Sequence, residues 1–365
     1  MVKNKYFHYL PLASLFGTHR TRELFQFNPT VAPVREEAKE VKVLVYDYSV
    51  DHFEEHHVKQ IGDCLAFKNN GRTTWINMDG LAKQAVETIC NDFGIHALLS
   101  EDILSVGQRP KMDDVDGILF CLLNMLYYNE ITRTVETGQI SIAMGYDFVV
   151  SFQEDGSRDV FDPIRRKLAM SNSKIRQRSA DYLCYALLDT IVDNYFIVME
   201  KLGEQIEILE GEVIRRSNTQ SLAHINHLRK ELIVLKRNIA PVRELINGYI
   251  RSESDLLNDD TTKYYKDVYD HIVQAYDFTE NYRDMMMNMQ DIYLNNVNLR
   301  MNEVMKVMAI VTCLMAPAAV IGGIFGMNFE AIPLLHYRWG FYISVAAMLF
   351  IPLVMLYIFK KRGWY

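Results

Sequence analysis

The chain has 365 residues, 49% of them hydrophobic and 23% charged, with a formal net charge of −7. That balance excludes a disordered chain, and an acidic chain without a basic stripe interleaved with aromatics excludes nucleic acid as the expected partner and favours cations. The average hides an asymmetry, because roughly the last sixty residues carry almost no charge: a polar body bears an apolar tail.

The first stretch, "MVKNKYFHYL", sets lysines ahead of aromatics but has no leucine-rich core or small-residue cleavage site, so no signal peptide is read and the N-terminus is expected in the cytoplasm. Residues 1–40 form an extension. Residues 41–162 read as an α/β domain. "KVLVYDYSV", "TTWINM", "GILFCLLNMLYY" and "ISIAMGYDFVVSF" are its strands, with helical stretches at Gly80–Phe93 and Ala97–Val106. Residues 163–254 read as helical: Pro163–Ser171, then Ile175–Arg216 and Ser221–Ser252 with "RSNTQS" as the turn between them.

Candidate chemistry in this body is sparse. Glu204, Glu207 and Glu210 recur at steps of three and read as a solvated acidic face rather than a cation funnel. His224 and His227 have i, i+3 spacing but no carboxylate at matching spacing, so they read as surface histidines; His56 and His57 are adjacent and point apart. Cys64, Cys90, Cys121, Cys184 and Cys313 are odd in number and scattered, which argues for reduced, buried thiols. No Ser/His/Asp order, catalytic carboxylate pair or phosphate-binding loop stands out, so an enzyme is not expected and ATP is not required.

From about Asp255 the sequence has no proline until Pro317, which suits one very long helix to Met327, with residues 255–306 as a stalk. Along it Asp291, Leu294, Asn298, Asn302, Met305, Met308, Thr312, Ala316, Ala319, Gly323 and Gly326 recur at steps of three or four. One face thus passes from carboxylate to amides, methionines, a hydroxyl and then small residues. Two readings stay open: helices of several copies converge on this face, or Ala316, Ala319, Gly322 and Gly323 pack against a second span. Pro317 lacks a backbone donor and would bend the helix or free a carbonyl.

Residues 307–327 ("VMAIVTCLMAPAAVIGGIFGM") and 339–359 ("WGFYISVAAMLFIPLVMLYIF") have no charged side chain, and each has the length of a bilayer crossing. The loop 328–338 is too short for anything but a hairpin. Arg300 and Lys306 precede the first span and the 360–365 tail begins with two lysines and Arg362, while the loop holds only Arg338 among basic residues; the positive-inside rule therefore puts both termini in the cytoplasm of a multi-pass protein of the cell (inner) membrane. Tyr337, Trp339 and Phe341 stand where an aromatic belt belongs.

At the outer end of the first span, "GMN" offers a glycine for close backbone approach (Gly326), a packing residue (Met327) and a neutral carbonyl oxygen (Asn328). Copies of Asn328 in a ring suit Mg2+, whose hydration shell neutral oxygens can bind without stripping it. Together with "GIHALLSEDIL", "QRPK", "DVFDPIR", "RSADYLCYALLDTIVDNYF", "DVYDHI" and "NEVMKV", this motif resembles the CorA family of magnesium transporters from about Val41 to the end.

That resemblance implies an α/β cytoplasmic domain, a long stalk helix and two C-terminal transmembrane helices in a funnel-shaped homopentameric channel. It implies Gly326, Met327 and Asn328 as selectivity motif, and Asn298, Asn302, Met305, Met308 and Thr312 along the pore and its gate, with Asp291 as a carboxylate ring below. Asp102 and Asp267, with Glu101, Asp189 and His271 close by, match the family's intersubunit Mg2+ sites. Mg2+ is then both cargo and regulator, Co2+ or Ni2+ being admitted as well. Glu330 remains in the entrance loop, but Leu334 and His336 stand where members often have a second acidic residue after the proline, and Ala319 stands where members often carry a hydroxyl. A zinc or cobalt transporter of the same fold, or a membrane-anchored divalent-cation sensor that conducts nothing, are the competing readings.

Overall fold

The computed structural model describes residues 40–215, 217–329 and 332–364. The chain divides into two units, one of residues up to Glu212 with Asn218–Met289, the other of Val213–Ser217 with Gln290–Tyr365.

The first unit is built on a seven-stranded sheet: β1 (Lys42–Tyr48), β2 (Phe53–Val58), β3 (Thr73–Asp79), β4 (Lys111–Val115), β5 (Ile118–Asn129), β6 (Thr134–Met144) and β7 (Phe148–Gln153), in the order β2-β1-β3-β7-β6-β5-β4. Only β3 and β7 pair in parallel. After β3 the chain runs through α1 (Lys83–Phe93) and α2 (Ala97–Leu104), enters the far edge as β4, and returns strand by strand until β7 lies beside β3. This route sets α2 directly before an edge strand, which matters for the site.

The stretch "ISIAMGYDFVVSF", which reads as one strand, is the β6–β7 hairpin. Gly145 donates its N–H to the Phe148 carbonyl at 2.9 Å, and a Cβ on Gly145 would lie 2.3 Å from the Phe148 ring, so only glycine fits the turn. Both edge strands, β2 ("FEEHHV") and β4 ("KMDDV"), are charged, the composition that keeps an edge from pairing with another chain and that also conceals it from a hydrophobicity pattern. β5 ("ILFCLLNMLYYN"), just inside the edge strand β4, is an apolar run because both its faces are covered.

One face of the sheet packs on α1 and α2 through Val45, Ile76, Phe120 and Val150 against Val86, Ile89, Phe93 and Ile103. The other face meets the helical part, α3 (Asp162–Ala169), α4 (Ala180–Arg215) and α5 (Thr219–Arg251). Trp75 stacks on Tyr46 at 4.9 Å, meets Phe161 edge-on, lies under the Arg165 guanidinium and donates to Ser151 Oγ at 2.9 Å. Side chains of the helices also satisfy sheet backbone: Tyr195 Oη donates to the Asn124 carbonyl and Asn194 to that of Leu126, both at 2.6 Å. Cys64, Cys90, Cys121 and Cys184 are buried and unpaired, and burial pushes the thiols of Cys64, Cys90 and Cys184 up to about 11. They are packing residues, protonated at neutral pH.

Helix α6 (Asp259–Phe325) is continuous for 67 residues through Pro317 and contributes to both units; α7 (Gly340–Lys361) follows a short turn. Among the described residues three helices are long and apolar enough to cross a membrane, but 61% of the most apolar window of α4 is buried within the chain and none of that of α6 or α7 is. Helix α4 is therefore a core helix of the first unit. The turn after α4 is fastened within the second unit, where Asn296 donates to the Val213 carbonyl at 3.2 Å and Arg300 to that of Ser217 at 2.7 Å.

Glu231 on α5 is 2% exposed and accepts the Val135 N–H at 2.7 Å. Glu231→Ala would remove that buried acceptor at a cost on the order of 2 kcal/mol. The purified protein should melt several degrees lower; an unshifted melt would mean that water replaces the carboxylate.

Candidate functional site

The carboxylates and the imidazole singled out in the first unit fall into two groups. Asp189 and Asp193 lie one turn apart on α4, and His271 on α6 faces them; ligand atoms of all three lie within 4.8 Å of one another. His271 Nδ1 is 4.0 Å from Asp189 Oδ1 and 3.9 Å from Asp193 Oδ1, beyond hydrogen-bond reach, and is shielded from solvent without a hydrogen-bond partner. Asp189 accepts the Tyr185 hydroxyl at 3.3 Å. Burial first, and then the charge of Asp193, hold the Asp189 carboxyl above the ordinary carboxylate range. Two carboxylates at i, i+4 beside an unsatisfied imidazole nitrogen form a hard-oxygen and one-nitrogen donor set, which fits a divalent cation. Asp267, one helical turn before His271, is exposed.

The second group is on α2. Glu101 is exposed, whereas the Asp102 side chain is only 17% exposed and accepts Lys111 Nζ at 2.6 Å. Lys111, the first residue of β4, also lies 3.0 Å from Asp113. Partial burial works to lower the Lys111 ammonium, but its bonds to the two carboxylates prevail and raise it. Within the chain the group of Asp189, Asp193 and His271 includes neither Glu101 nor Asp102.

Sequence reasoning passed over Asp193 and Lys111. The i, i+4 relation to Asp189 could have found the first; Lys111 is reached from Asp102 across an irregular turn whose length encodes no contact. It also denied the histidines of α5 a carboxylate, yet His224 Nδ1 meets Glu212 at 3.1 Å while His227 turns to the Arg133 carbonyl at 2.8 Å. The two rings take different partners, and Glu204, Glu207 and Glu210 are exposed.

In the second unit the graded face can be followed residue by residue. Asp291, Leu294, Asn298, Asn302, Met305, Met308, Thr312, Ala316, Ala319, Gly323 and Gly326 are all exposed in the isolated chain. Ile310, Cys313, Leu314, Pro317 and Ile321 are half-buried, and the helical period puts them roughly opposite that face. The small residues divide accordingly: a Cβ on Gly322 would touch the Met348 methyl of α7 at 3.8 Å, whereas one on Gly323 would meet open space. The Thr312 hydroxyl donates to the Met308 carbonyl at 2.9 Å, which leaves its oxygen lone pairs available. Helix α6 stops at Phe325, so the motif lies just beyond it. Gly326 N–H reaches back to the Gly322 carbonyl at 3.0 Å, and Met327 and Asn328 are exposed.

Beyond the motif, Leu334 takes a left-handed conformation (φ 72°), and its carbonyl lies 2.1 Å from where a Cβ on Gly340 would stand. Glycine is required at 340 for α7 to start so soon after α6. Glu330 lies outside the described residues.

The profile of the CorA-like Mg2+ transporter protein family matches residues 70–361. The "Cobalt/magnesium transport protein CorA" of Thermotoga maritima is 36% identical over 327 residues, covering 89% of this chain and 93% of that protein. The protein of the same name from Methanocaldococcus jannaschii is 29% identical over 297 residues, covering 80% of this chain and 92% of that protein. Among solved structures, the complete CorA magnesium transporter from Methanocaldococcus jannaschii superposes with a TM-score of 0.75 at 22% identity, covering 88% of this chain and 98% of that one. The fold is that of full-length CorA: an α/β soluble domain, long helices and C-terminal apolar helices.

The raised Asp189 carboxyl gives a signed expectation. Folding favours its protonated form, so this group contributes stability below the ordinary carboxylate pKa that is lost as pH rises through the folded value. With chelator present, Asp189→Asn should melt a few degrees above the unaltered protein at neutral pH, and the gap should close under acid. A variant that melts lower at neutral pH would refute the assigned strain.

Proposed function

The chain belongs to the CorA-like Mg2+ transporter family, a family of membrane transporters and not of enzymes, and from that premise we propose that it is an influx channel for Mg2+ that also admits Co2+ or Ni2+. The observation that carries this reading is the face of α6. It is graded from carboxylate to amide to small residue, exposed along its length, set roughly opposite the half-buried side of the helix, and ends at Gly326–Asn328.

Residues 307–327 and 339–359 cross the bilayer, with the loop outside and both termini in the cytoplasm. Copies of the chain, five by family resemblance, turn the α6 face toward a common axis. Asn328 side chains then form a ring of neutral oxygens that holds Mg2+ by its hydration shell. Met305 and Met308 line a dry constriction that a hydrated divalent ion does not pass while the helices are close. Asn298, Asn302 and Thr312 supply the polar stations, and Asp291 attracts cations at the inner end. Glu330 does the same at the entrance, weakly, because Leu334 and His336 add no negative charge beside it. Transport needs no ATP: two charges moved through about 100 mV release about 4.6 kcal/mol, more than a thousandfold in concentration.

Closure is assigned to Mg2+ held between subunits by Asp102 and Asp267, with Glu101, Asp189 and His271 near them. Unbridged carboxylates of neighbouring copies repel, so a divalent ion between them favours the closed, symmetric arrangement. The imidazole beside Asp189 and Asp193 supports a second reading for this region, in which Co2+ or Ni2+ is preferred over Mg2+, because nitrogen donors favour later metals.

Two measurements test the proposal. In proteoliposomes loaded with a Mg2+ dye, at inside-negative potential, the unaltered protein should take up Mg2+ and Asn328→Ala should lose at least nine-tenths of the rate while assembling normally. Uptake of zinc or cobalt alone would change the substrate, and no flux of any cation would leave a non-conducting sensor. Separately, Asp267→Ala should raise several-fold the internal Mg2+ concentration that halves the flux; an unchanged value would refute the regulatory role.

A further inference from the structure

Asp102 is not an open ligand waiting for a metal ion. Its carboxylate is largely shielded and already carries a cation, the Lys111 ammonium, at 2.6 Å. The surroundings hold the carboxylate in place. Gln139, 6% exposed on β6, donates through Nε2 to the carbonyls of Ile103 at 3.1 Å and Asp102 at 3.4 Å, tying the end of α2 to the sheet. Lys111 is anchored just as firmly at its backbone, in register with Leu122 of β5. Its flexible stem is the part free to move, and it has somewhere to go. Asp113, two residues along the same strand and so on the same side of β4, is 3.0 Å from the ammonium and twice as exposed as Asp102, at 36% against 17%.

We propose that Lys111 is a resident counter-cation of the regulatory site, occupying Asp102 when no divalent ion is bound and retiring to Asp113 when Mg2+ takes its place. The inference rests on the reading of Asp102 and Asp267 as intersubunit ligands. Filling the site is then an exchange of an ammonium for a divalent ion. Mg2+ gains the carboxylate only by displacing a bonded positive charge, which keeps a like charge close to the ion and weakens its hold. Without the lysine a buried carboxylate would stand uncompensated beside the carboxylates of the next copy, and the site would fill at lower Mg2+. Asp113 limits the cost of the exchange, because the displaced ammonium keeps one of its two partners. The pair therefore sets the concentration at which the sensor responds, independently of the residues that touch the ion.

The test uses the full-length protein in detergent and reads the Mg2+ concentration that gives half of the Mg2+-dependent rise in melting temperature, which does not depend on transport. Lys111→Met keeps the stem and removes the charge, and should lower that midpoint roughly three- to tenfold. Lys111→Arg should stay within about twofold of the unaltered protein, since the charge remains. Asp113→Asn should raise the midpoint about two- to threefold, because the lysine loses its alternative partner. Asp267→Ala is the control for the underlying reading and should also raise it. If Asp267→Ala raises the midpoint while Lys111→Met leaves it unchanged or raises it, the exchange is overturned and the intersubunit site stands. If Lys111→Met does not fold, Asp113→Asn decides in its place, and an unchanged midpoint there overturns the exchange. If Asp267→Ala changes nothing, the reading of the site fails and takes the exchange with it.

Discussion

The apolar end of α6 has little protein to pack against within its own chain. From Val307 to Phe325 the helix presents methionines, valines, isoleucines and small residues, and only the narrow side through Ile310, Cys313, Leu314, Pro317, Ile321 and Phe325 finds partial cover. Exposed apolar surface of this extent is not stable in water, so lipid or further copies must cover the rest. Lipid suits the valines and isoleucines; it does not suit Asn298, Asn302 and Thr312, which want polar partners or water. The helix thus calls for two different neighbours on two different faces.

The same constraint explains details that look unrelated. Gly322 lets the second helix close in on the first, while Gly323, one residue on, meets nothing. Gly340 lets the Leu334 carbonyl lie against the start of α7.

Charge governs the first unit as apolar surface governs the second. Asp189 and Asp193 are held one turn apart, with an imidazole too far away for a hydrogen bond to either, an arrangement that raises the Asp189 carboxyl and costs stability at neutral pH. Asp102 is treated differently, being paired with lysine. Both groups stand on helices braced against a sheet whose opposite faces are filled. That bracing matters because ligand positions are useful only if the backbone under them does not drift.

What the sequence by itself determined is whatever depends on periodicity and composition over long stretches. Two uncharged runs of about bilayer length, one face recurring along a very long helix, and the motif at its end are all legible without coordinates, because a helix converts spacing into a face directly. The α/β character of the body was legible for the same reason, since β1, β3 and β5 are dense in β-branched and aromatic residues. The charged edge strands β2 and β4, the split of one apolar run into β6 and β7, and the burial of α4 were decided by tertiary structure. An edge strand is defined by what does not pair with it, a hairpin by one glycine under an aromatic ring, and a core helix by neighbours distant in sequence. So were the partners of the charged side chains: Lys111 meets Asp102 and His271 meets Asp193 because the sheet and the helices bring them together, and Coulomb attraction acts through space rather than along the chain.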